Sequence, residues 1–403
     1  MIKISRPFIE TSSSEVFLCS NIYDGARSQT FKTWYSVDHE YSKYLCDDRA
    51  DAFLMLVFIR AMKSHQDIEI EAPVSPRLLF NLENTIQPLF EKIIPGGKRV
   101  KIHTSNDRLK LLNGHAVGCG CSLGVDSLSS FLKHYGENVT EGYHATHLAL
   151  FNSCQFGYLD MDSSTKAFRQ AVEDLKPFSE EVKMPIVAVN SNLNDFFLHE
   201  SGFNNAKSRF IPSTLSCVLA LQGLFGKYVF ASSYPIEKFA ISQIDHSHAE
   251  SAFVPLMSTD STEIILSNPC MDRVEKTRFI SSHPLTKKYL NVCWADQMSN
   301  GGNRNSKWLE GKTKKNCGWC DKCLRTLFTL ELLGCDLNPF KEIFDLEKYY
   351  CHKNEFILNV LVNNSTNIFY SEIYQLMKEK DYHIPLFLRF KSVLVKILRT
   401  IRI

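Results

Sequence analysis

The stretch Gly118-Cys119-Gly120-Cys121-Ser122-Leu123-Gly124-Val125-Asp126-Ser127 decides how the rest of the chain is read. An apolar run from Leu111 to Val117, broken at Asn113, Gly114 and His115, leads into it. Leu128-Ser129-Ser130-Phe131-Leu132-Lys133-His134 follows with the character of a helix. A strand, a turn of small residues and a helix start present backbone N–H groups to an anion such as phosphate. No Gly-Lys-Ser/Thr follows at the required spacing, so this is not a Walker A loop. Gly118, Gly120 and Gly124 let backbone approach an anion closely, and Ser122 and Ser127 add hydroxyl donors.

The totals bound the rest. A chain of 403 residues makes two or three domains and buries a real core. Hydrophobic content of 44% and charged content of 22% are those of an ordinary globular protein. A net charge of +2 gives no global argument for nucleic acid or an acidic partner. Met1–Pro7 lacks the apolar core and small-residue cleavage site of an export signal, and no run is long enough to span a membrane. A cytoplasmic protein is expected, so clustered cysteines among its 13 point to metal or redox chemistry rather than disulfides.

Residues 1–97 read as a leading α+β unit. Ala50–Met62 has helical length and is apolar nearly all round, and Asp67–Glu71 alternates as a strand. Ser75-Pro76 opens a helix running to about Ile94, and Pro95-Gly96-Gly97 ends it. From Lys98 the rhythm changes. Strands are expected at Arg99–His103, Gly114–Cys119, Thr146–Phe151, Pro185–Val189 and Lys227–Ser232, with helices at Leu128–Tyr135, Ser164–Leu175 and Ser213–Leu224. Such alternation predicts an α/β fold with a parallel sheet, whose ligands bind beyond the carboxyl ends of the strands. Residues 98–335 are assigned to this domain, with Tyr234 to about Asn300 as loops over that edge and 336–403 as a helical C-terminal region.

Cys317-Gly318-Trp319-Cys320-Asp321-Lys322-Cys323 holds two overlapping C-x-x-C steps. Gly318 permits the tight turn that aims neighbouring thiolates at one ion, and a closed tetrahedral zinc site needs a fourth ligand. Cys293 is the nearest upstream cysteine and the expected choice; Cys335, beyond the apolar segment Leu324–Leu333, competes. A redox pair or buried thiols are the other readings.

Ser122, Leu123, Gly124, Val125, Asp126 and Ser127 resemble the Ser-Gly-Gly-x-Asp-Ser signature of the PP-loop ATP pyrophosphatases. With Cys293, Cys317, Cys320 and Cys323, the chain over roughly 110–335 resembles the 7-cyano-7-deazaguanine synthases within that superfamily. Asp272–Ser281, which includes Lys276, resembles the helix before that family's first zinc cysteine. The resemblance implies a loop that holds ATP with Mg²⁺, a zinc site spanning 293–323, and adenylation of an acceptor's carboxylate or carbonyl oxygen before attack by ammonia or an amine. It also resembles poorly defined PP-loop relatives associated with surface-polysaccharide or defence gene sets. A tRNA-base-modifying enzyme and a nucleotide-binding protein without turnover are the alternatives.

Three departures from the family pattern stand out. Leu123 occupies the position of the second glycine, where left-handed backbone would cost about 1 kcal/mol or more. The Cys293–Cys317 segment, 23 residues between the two cysteines, is longer than usual. Gln243–Glu250 differs from the substrate loop, so the deazaguanine substrate is not carried over.

Asp126, Lys276 and Arg325 are the expected catalytic residues, with Arg209 and Lys322 as further cations for triphosphate charge. His246, His248 and Glu250 on alternate positions fit either a second metal site or pocket lining. Cys119 and Cys121 fit sulfur transfer less well than burial in the sheet. In the tail, Arg389, Lys391, Lys396, Arg399 and Arg402 fall on one half of a helix, with Phe390, Val393, Leu394, Ile397 and Ile401 on the other. That suits docking on the domain, an anionic inner-membrane surface or RNA phosphate. A homo-oligomer is a further partner expectation.

Overall fold

A computed structural model of the chain describes residues 1–105, 107–154, 156, 161–198, 206–293 and 314–401. The segment between the zinc-type cysteines from 294 to 313, and Arg402 of the basic tail, lie outside the described residues. The chain divides into two compact units: Met1–Cys121 with Lys133–Pro269, and Ser122–Leu132 with Cys270–Ile403. The expected segments 1–97 and 98–335 are thus distributed differently, and 336–403 falls wholly in the second unit.

The first unit is built on an 11-stranded mixed sheet. Its strands are β1 (Ile2–Ile4), β2 (Phe8–Thr11), β3 (Val16–Asp24), β4 (Gln29–Val37), β5 (Ile68–Ile70), β6 (Ile102–His103), β7 (Ala116–Gly120), β8 (His147–Phe151), β9 (Ile186–Ser191), β10 (Phe225–Ala231) and β11 (Glu263–Ser267). The order is β11-β10-β7-β8-β9-β4-β3-β1-β5-β6, with β2 paired to β3. The block β11-β10-β7-β8-β9 is parallel throughout. Its outer strand β9 is joined antiparallel by β4, through Tyr35↔Ser191 and Ser36↔Asn190. Strands of the first hundred residues therefore extend the sheet rather than forming one of their own. The sheet is mostly parallel and the fold is α/β, as the alternating pattern predicts.

The strand expected at Arg99–His103 shortens to β6 and pairs with β5, outside the parallel block. Side chains take over where a ladder would continue: Val100 N–H donates to Gln87 Oε1 and Lys101 N–H to Asp67 Oδ1. Residues 2–37 hold four strands that periodicity did not announce, and β11 lies inside the segment expected to be loops. The helix Asp51–Ser64 is buried at every position from Asp51 to Ile59, which explains its apolarity on all sides.

β7 is the strand at which the parallel block reverses. The next strand in sequence, β8, lies on one side of it and β10 on the other. In open α/β sheets this switch point, at the carboxyl end of the strands, is where ligands bind. Ser122 is the second residue after that end.

The second unit is helical. Arg273–Ser281, Pro284–Tyr289, Asp321–Leu332, Leu346–Asn363, Ile368–Glu379 and Leu386–Ile401 are its main helices. Phe328 anchors them, edge-on to Phe356 at 5.9 Å and to Tyr382 at 5.4 Å. Among the described residues, no helix is long and apolar enough to cross a membrane.

Candidate functional site

The loop and the cysteines belong to the same compact unit. Ser122-Leu123-Gly124 leads into the helix Val125–Lys133, whose first turn closes with Leu128 N–H donating to Gly124 O at 2.8 Å. The amides at the head of a helix have no carbonyl of a preceding turn to bond, and they carry the positive end of its dipole. Ser122 Oγ and Ser127 Oγ lie 3.0 Å apart, so the two hydroxyls brace the mouth of the loop.

Leu123 has φ of 59°, in the left-handed region. A bulky residue there is unusual and costs about 1–2 kcal/mol. Burial of its side chain and a bond from Asn291 N–H to its carbonyl, at 2.8 Å, hold it in place. The backbone thus takes the shape a glycine would adopt at this position, with leucine bearing the strain.

Asp126 points into a pair of cations. Arg273 Nη2 donates to Oδ2 at 2.6 Å, and Lys276 Nζ reaches Oδ1 at 3.4 Å. Lys276 is almost wholly buried. Both cations come from one helix, aimed by a capping box: Asp272 accepts from Glu275 N–H while the Glu275 carboxylate accepts from Asp272 N–H. This geometry gives Asp126 an orienting role, fastening the loop's helix to the Arg273–Ser281 helix.

Next to this pair lies a small cavity of about 20 Å³, lined by the charged Arg273, Lys322, Arg325 and Glu372 and by the apolar Val274, Val292, Phe369 and Ile373 among others. It has room for about one water and none for a nucleotide. Arg273 and Arg325 both stack on Phe369, at 5.2 and 4.3 Å from its ring centre. Arg325 Nε also lies 3.0 Å from Asp321 Oδ2. Burial, then the charges of Arg273 and Arg325, push the Lys322 ammonium down to about 8. Burial, then the nearby Asp272, pushes Glu372 up to about 7. Arg273 Nε and Glu372 Oε1 are buried without a hydrogen-bond partner among the described residues. Arg273 and Arg325 are each balanced by a carboxylate, Asp126 and Asp321, and Glu372 adds a third acid to the cavity.

Cys293, Cys317, Cys320 and Cys323 are all buried, with their sulfurs within 4.8 Å of one another. Cys317 Sγ and Cys323 Sγ are 3.9 Å apart. Tetrahedral zinc with thiolate bonds of about 2.3 Å sets its sulfurs roughly 3.8 Å apart, so this set fits. Cys317 N–H donates to Cys293 Sγ at 3.5 Å and Cys320 N–H to Cys317 Sγ at 3.3 Å, which favours sulfur carrying negative charge. Gly318 has φ of +82°, and a Cβ there would come within 2.0 Å of Asp345 O, so only glycine makes this turn. Cys320 is the N-cap of Asp321–Leu332, which places Cys323 in its first turn. Hydrogen bonding with Cys317 draws the Cys293 thiol down to about 6, while contact with Cys293 drives Cys317 and Cys323 up. Four thiols this close cannot all ionise without a cation among them. Cys335 is not in this group.

Asn316 is the residue that motif reading missed. Fully buried, it accepts from Val292 N–H and Cys293 N–H through Oδ1, at 2.8 and 3.1 Å. Its Nδ2 donates to Leu290 O and Ile343 O, at 2.8 and 3.0 Å. One amide thereby aligns the segment carrying Cys293 with the one carrying Cys317. Its place immediately before Cys317 was the only sequence signal. Arg273 and Glu372 were missed as well: Arg273 stood three residues before the lysine singled out, and Glu372 lay in the helical C-terminal region, where no site residue was expected.

The other candidates belong to the first unit. His246 and His248 lie in the short helix His246–Ala249, not on an extended strand. His248 stacks on Tyr234 at 4.0 Å, His246 stands edge-on to Phe90 at 5.6 Å, and Glu250 accepts from Ser233 N–H and Tyr234 N–H. Among the described residues the cysteines are the group able to hold a metal, and these three are not. Cys119 and Cys121 are buried, and Arg209 belongs to the first unit.

Comparison with family models, with curated proteins and with solved structures found no match.

Proposed function

We propose that the chain is a PP-loop ATP pyrophosphatase, resembling the 7-cyano-7-deazaguanine synthases, that adenylates a small acceptor. The acceptor's carboxylate or carbonyl oxygen attacks the α-phosphate of ATP and pyrophosphate leaves; ammonia or an amine then displaces AMP. The observation that carries this reading is Leu123 in the left-handed region, at φ of 59°. Strained backbone kept at a loop that heads a helix is the mark of a shape the loop needs. The cations beside it support the same reading.

In this scheme Ser122, Ser127 and the helix-head amides hold pyrophosphate, with Mg²⁺ carried in by the nucleotide. Asp126 keeps the loop in register through Arg273 and Lys276, and Lys322 and Arg325 add positive potential. Zinc, when bound, supplies cohesion rather than catalysis, because four thiolates leave no open coordination position.

The test is ATP binding by calorimetry with zinc-loaded protein, followed by pyrophosphate release in the presence of candidate acceptors. Binding that is weakened at least tenfold by Ser122→Ala with Ser127→Ala is expected. Absence of ATP binding overturns the proposal, and binding without pyrophosphate release leaves a nucleotide-binding protein without turnover.

A further inference from the structure

The Leu386–Ile401 helix turns its apolar face outward. Leu388 and Ser392, one turn apart, are buried on the side that packs against the Leu346–Asn363 helix. Arg399 continues that side, donating to Asn363 Oδ1 at 2.7 Å. Phe390, Val393, Leu394 and Ile397 are exposed, Phe390 to 74%, and Leu386 and Phe387 extend the patch. At about 100° per residue these side chains span an arc of roughly 120°. Arg389 and Lys396 border one edge of it and Lys391 the other, and the helix contains no Asp or Glu. A contiguous apolar face of this kind on a folded surface marks an interaction site.

The charge pattern chooses the occupant. RNA phosphate would call for cations at the centre of the exposed face, whereas here the centre is apolar and the cations form its borders. A second copy in a two-fold pairing would set identical cationic borders against each other, with no acid in either helix to pair them. An anionic bilayer satisfies both parts, because acyl chains receive the apolar side chains and headgroup phosphates receive the lysine and arginine tips. A groove of about 630 Å³ runs beside the helix, with Lys378, His383, Arg389 and Lys396 on its walls and Asp381 as its one carboxylate. Its cations lie along the Arg389–Lys396 border, where headgroups would sit.

We propose that Leu386–Ile401 is a membrane-interface helix that lies in the plane of an anionic bilayer and draws lipid phosphate to the Lys378–Arg389–Lys396 groove. It lies on the membrane and does not cross it, being neither long nor apolar enough.

The experiment is co-sedimentation of the full chain with phosphatidylcholine vesicles, with and without phosphatidylserine. The protein is expected in the pellet only with phosphatidylserine, and less so as salt rises. Phe390→Glu with Leu394→Glu should abolish sedimentation while leaving the thermal midpoint unchanged, because both side chains face solvent. Arg389→Gln with Lys396→Gln should lower partitioning about thirtyfold. Wild type remaining in the supernatant with phosphatidylserine overturns the proposal. So does sedimentation indifferent to the glutamate pair, or retention of RNA that the charge variants lose and the glutamate pair keeps. A dimer in analytical ultracentrifugation that the glutamate pair converts to monomer assigns the face to a second copy instead.

Discussion

The carbonyl of Leu123 accepts the amide hydrogen of Asn291 at 2.8 Å, two residues before Cys293. Asn316 then grips the amides of Val292 and Cys293. A short run of hydrogen bonds, through the Asn316 side chain and then the backbone, therefore leads from the cysteine centre to the strained loop. Disturbance at the metal end should be felt at the loop.

The first expectation concerns that centre. Cys320→Ser should lose bound zinc by metal analysis and lower the thermal midpoint, with chelator doing the same to wild type. Cys335→Ser should leave zinc content unchanged, because Cys335 stands outside the cluster. ATP affinity should fall with zinc loss if the Leu123–Asn291 contact transmits it. Zinc retained in Cys320→Ser would remove this residue from the ligand set.

Asn316→Ala strips four hydrogen bonds from a fully buried position. With two amides and the Leu290 carbonyl left unpaired, while Ile343 O keeps the backbone N–H of residue 316, a loss of about 3 kcal/mol in chemical denaturation is expected. Zinc affinity should drop about 10- to 100-fold, the usual effect of removing a partner that orients a ligand. Unchanged affinity in a competition titration would restrict Asn316 to a purely structural role.

At position 123 the ordinary ranking of glycine and alanine should invert. Alanine normally stabilises relative to glycine by restricting the unfolded chain, but at φ of 59° its Cβ meets the same strain as leucine. Leu123→Gly should therefore be more stable than Leu123→Ala by about 1 kcal/mol in urea denaturation. The opposite order would mean that the loop relaxes to negative φ when the leucine is removed.

The Asp126 pairing predicts non-additivity. Asp126→Asn removes a negative charge facing the almost fully buried Lys276 and should cost about 2 kcal/mol. Lys276→Met in the same chain should recover part of that loss, giving a coupling of about 1 kcal/mol in a double-mutant cycle. A coupling near zero would show that the two side chains act independently.

Glu372 contributes a pH dependence of definite sign. Its folded value is raised from 4.5 to about 7, mainly by burial. Between those values the folded protein holds a proton that the unfolded chain has released, so this group's contribution to stability falls as pH rises and is level above about 7. Glu372→Gln should remove that decline, and the difference between variant and wild type should grow from about pH 4.5 to 7. Parallel stability curves would show an ordinary carboxyl.

Much of the parallel block was legible. Continuous apolar runs such as His147–Phe151 have few ways to bury both faces except as inner strands of a parallel sheet. β2, β3 and β4 were missed although they pair with sequence neighbours, since buried residues in β3 run consecutively at Leu18, Cys19 and Ser20 instead of alternating; β1 was missed because its partner β5 is distant in sequence. β11 was hidden for the same reason, since a five-residue segment becomes a strand only through its ladder with β10. At the site, cysteine spacing announced the metal group, because C-x-x-C steps confine thiolates to one turn. Asn316, Arg273 and Glu372 carried no such local signature; each acts on a residue brought near by folding.

The sequence by itself determined the order of chemistry along the chain: an anion-type loop after a strand, a helix carrying Lys276, a cysteine knuckle, and a tail with one apolar and one basic side. Local spacing and residue type suffice for these. Tertiary structure decided how each is placed. It set Leu123 into a left-handed turn, made Asp126 a tether, chose Cys293 over Cys335, and left the apolar side of the tail uncovered. Those outcomes depend on which surfaces meet, and the meeting of surfaces is a property of the packed chain.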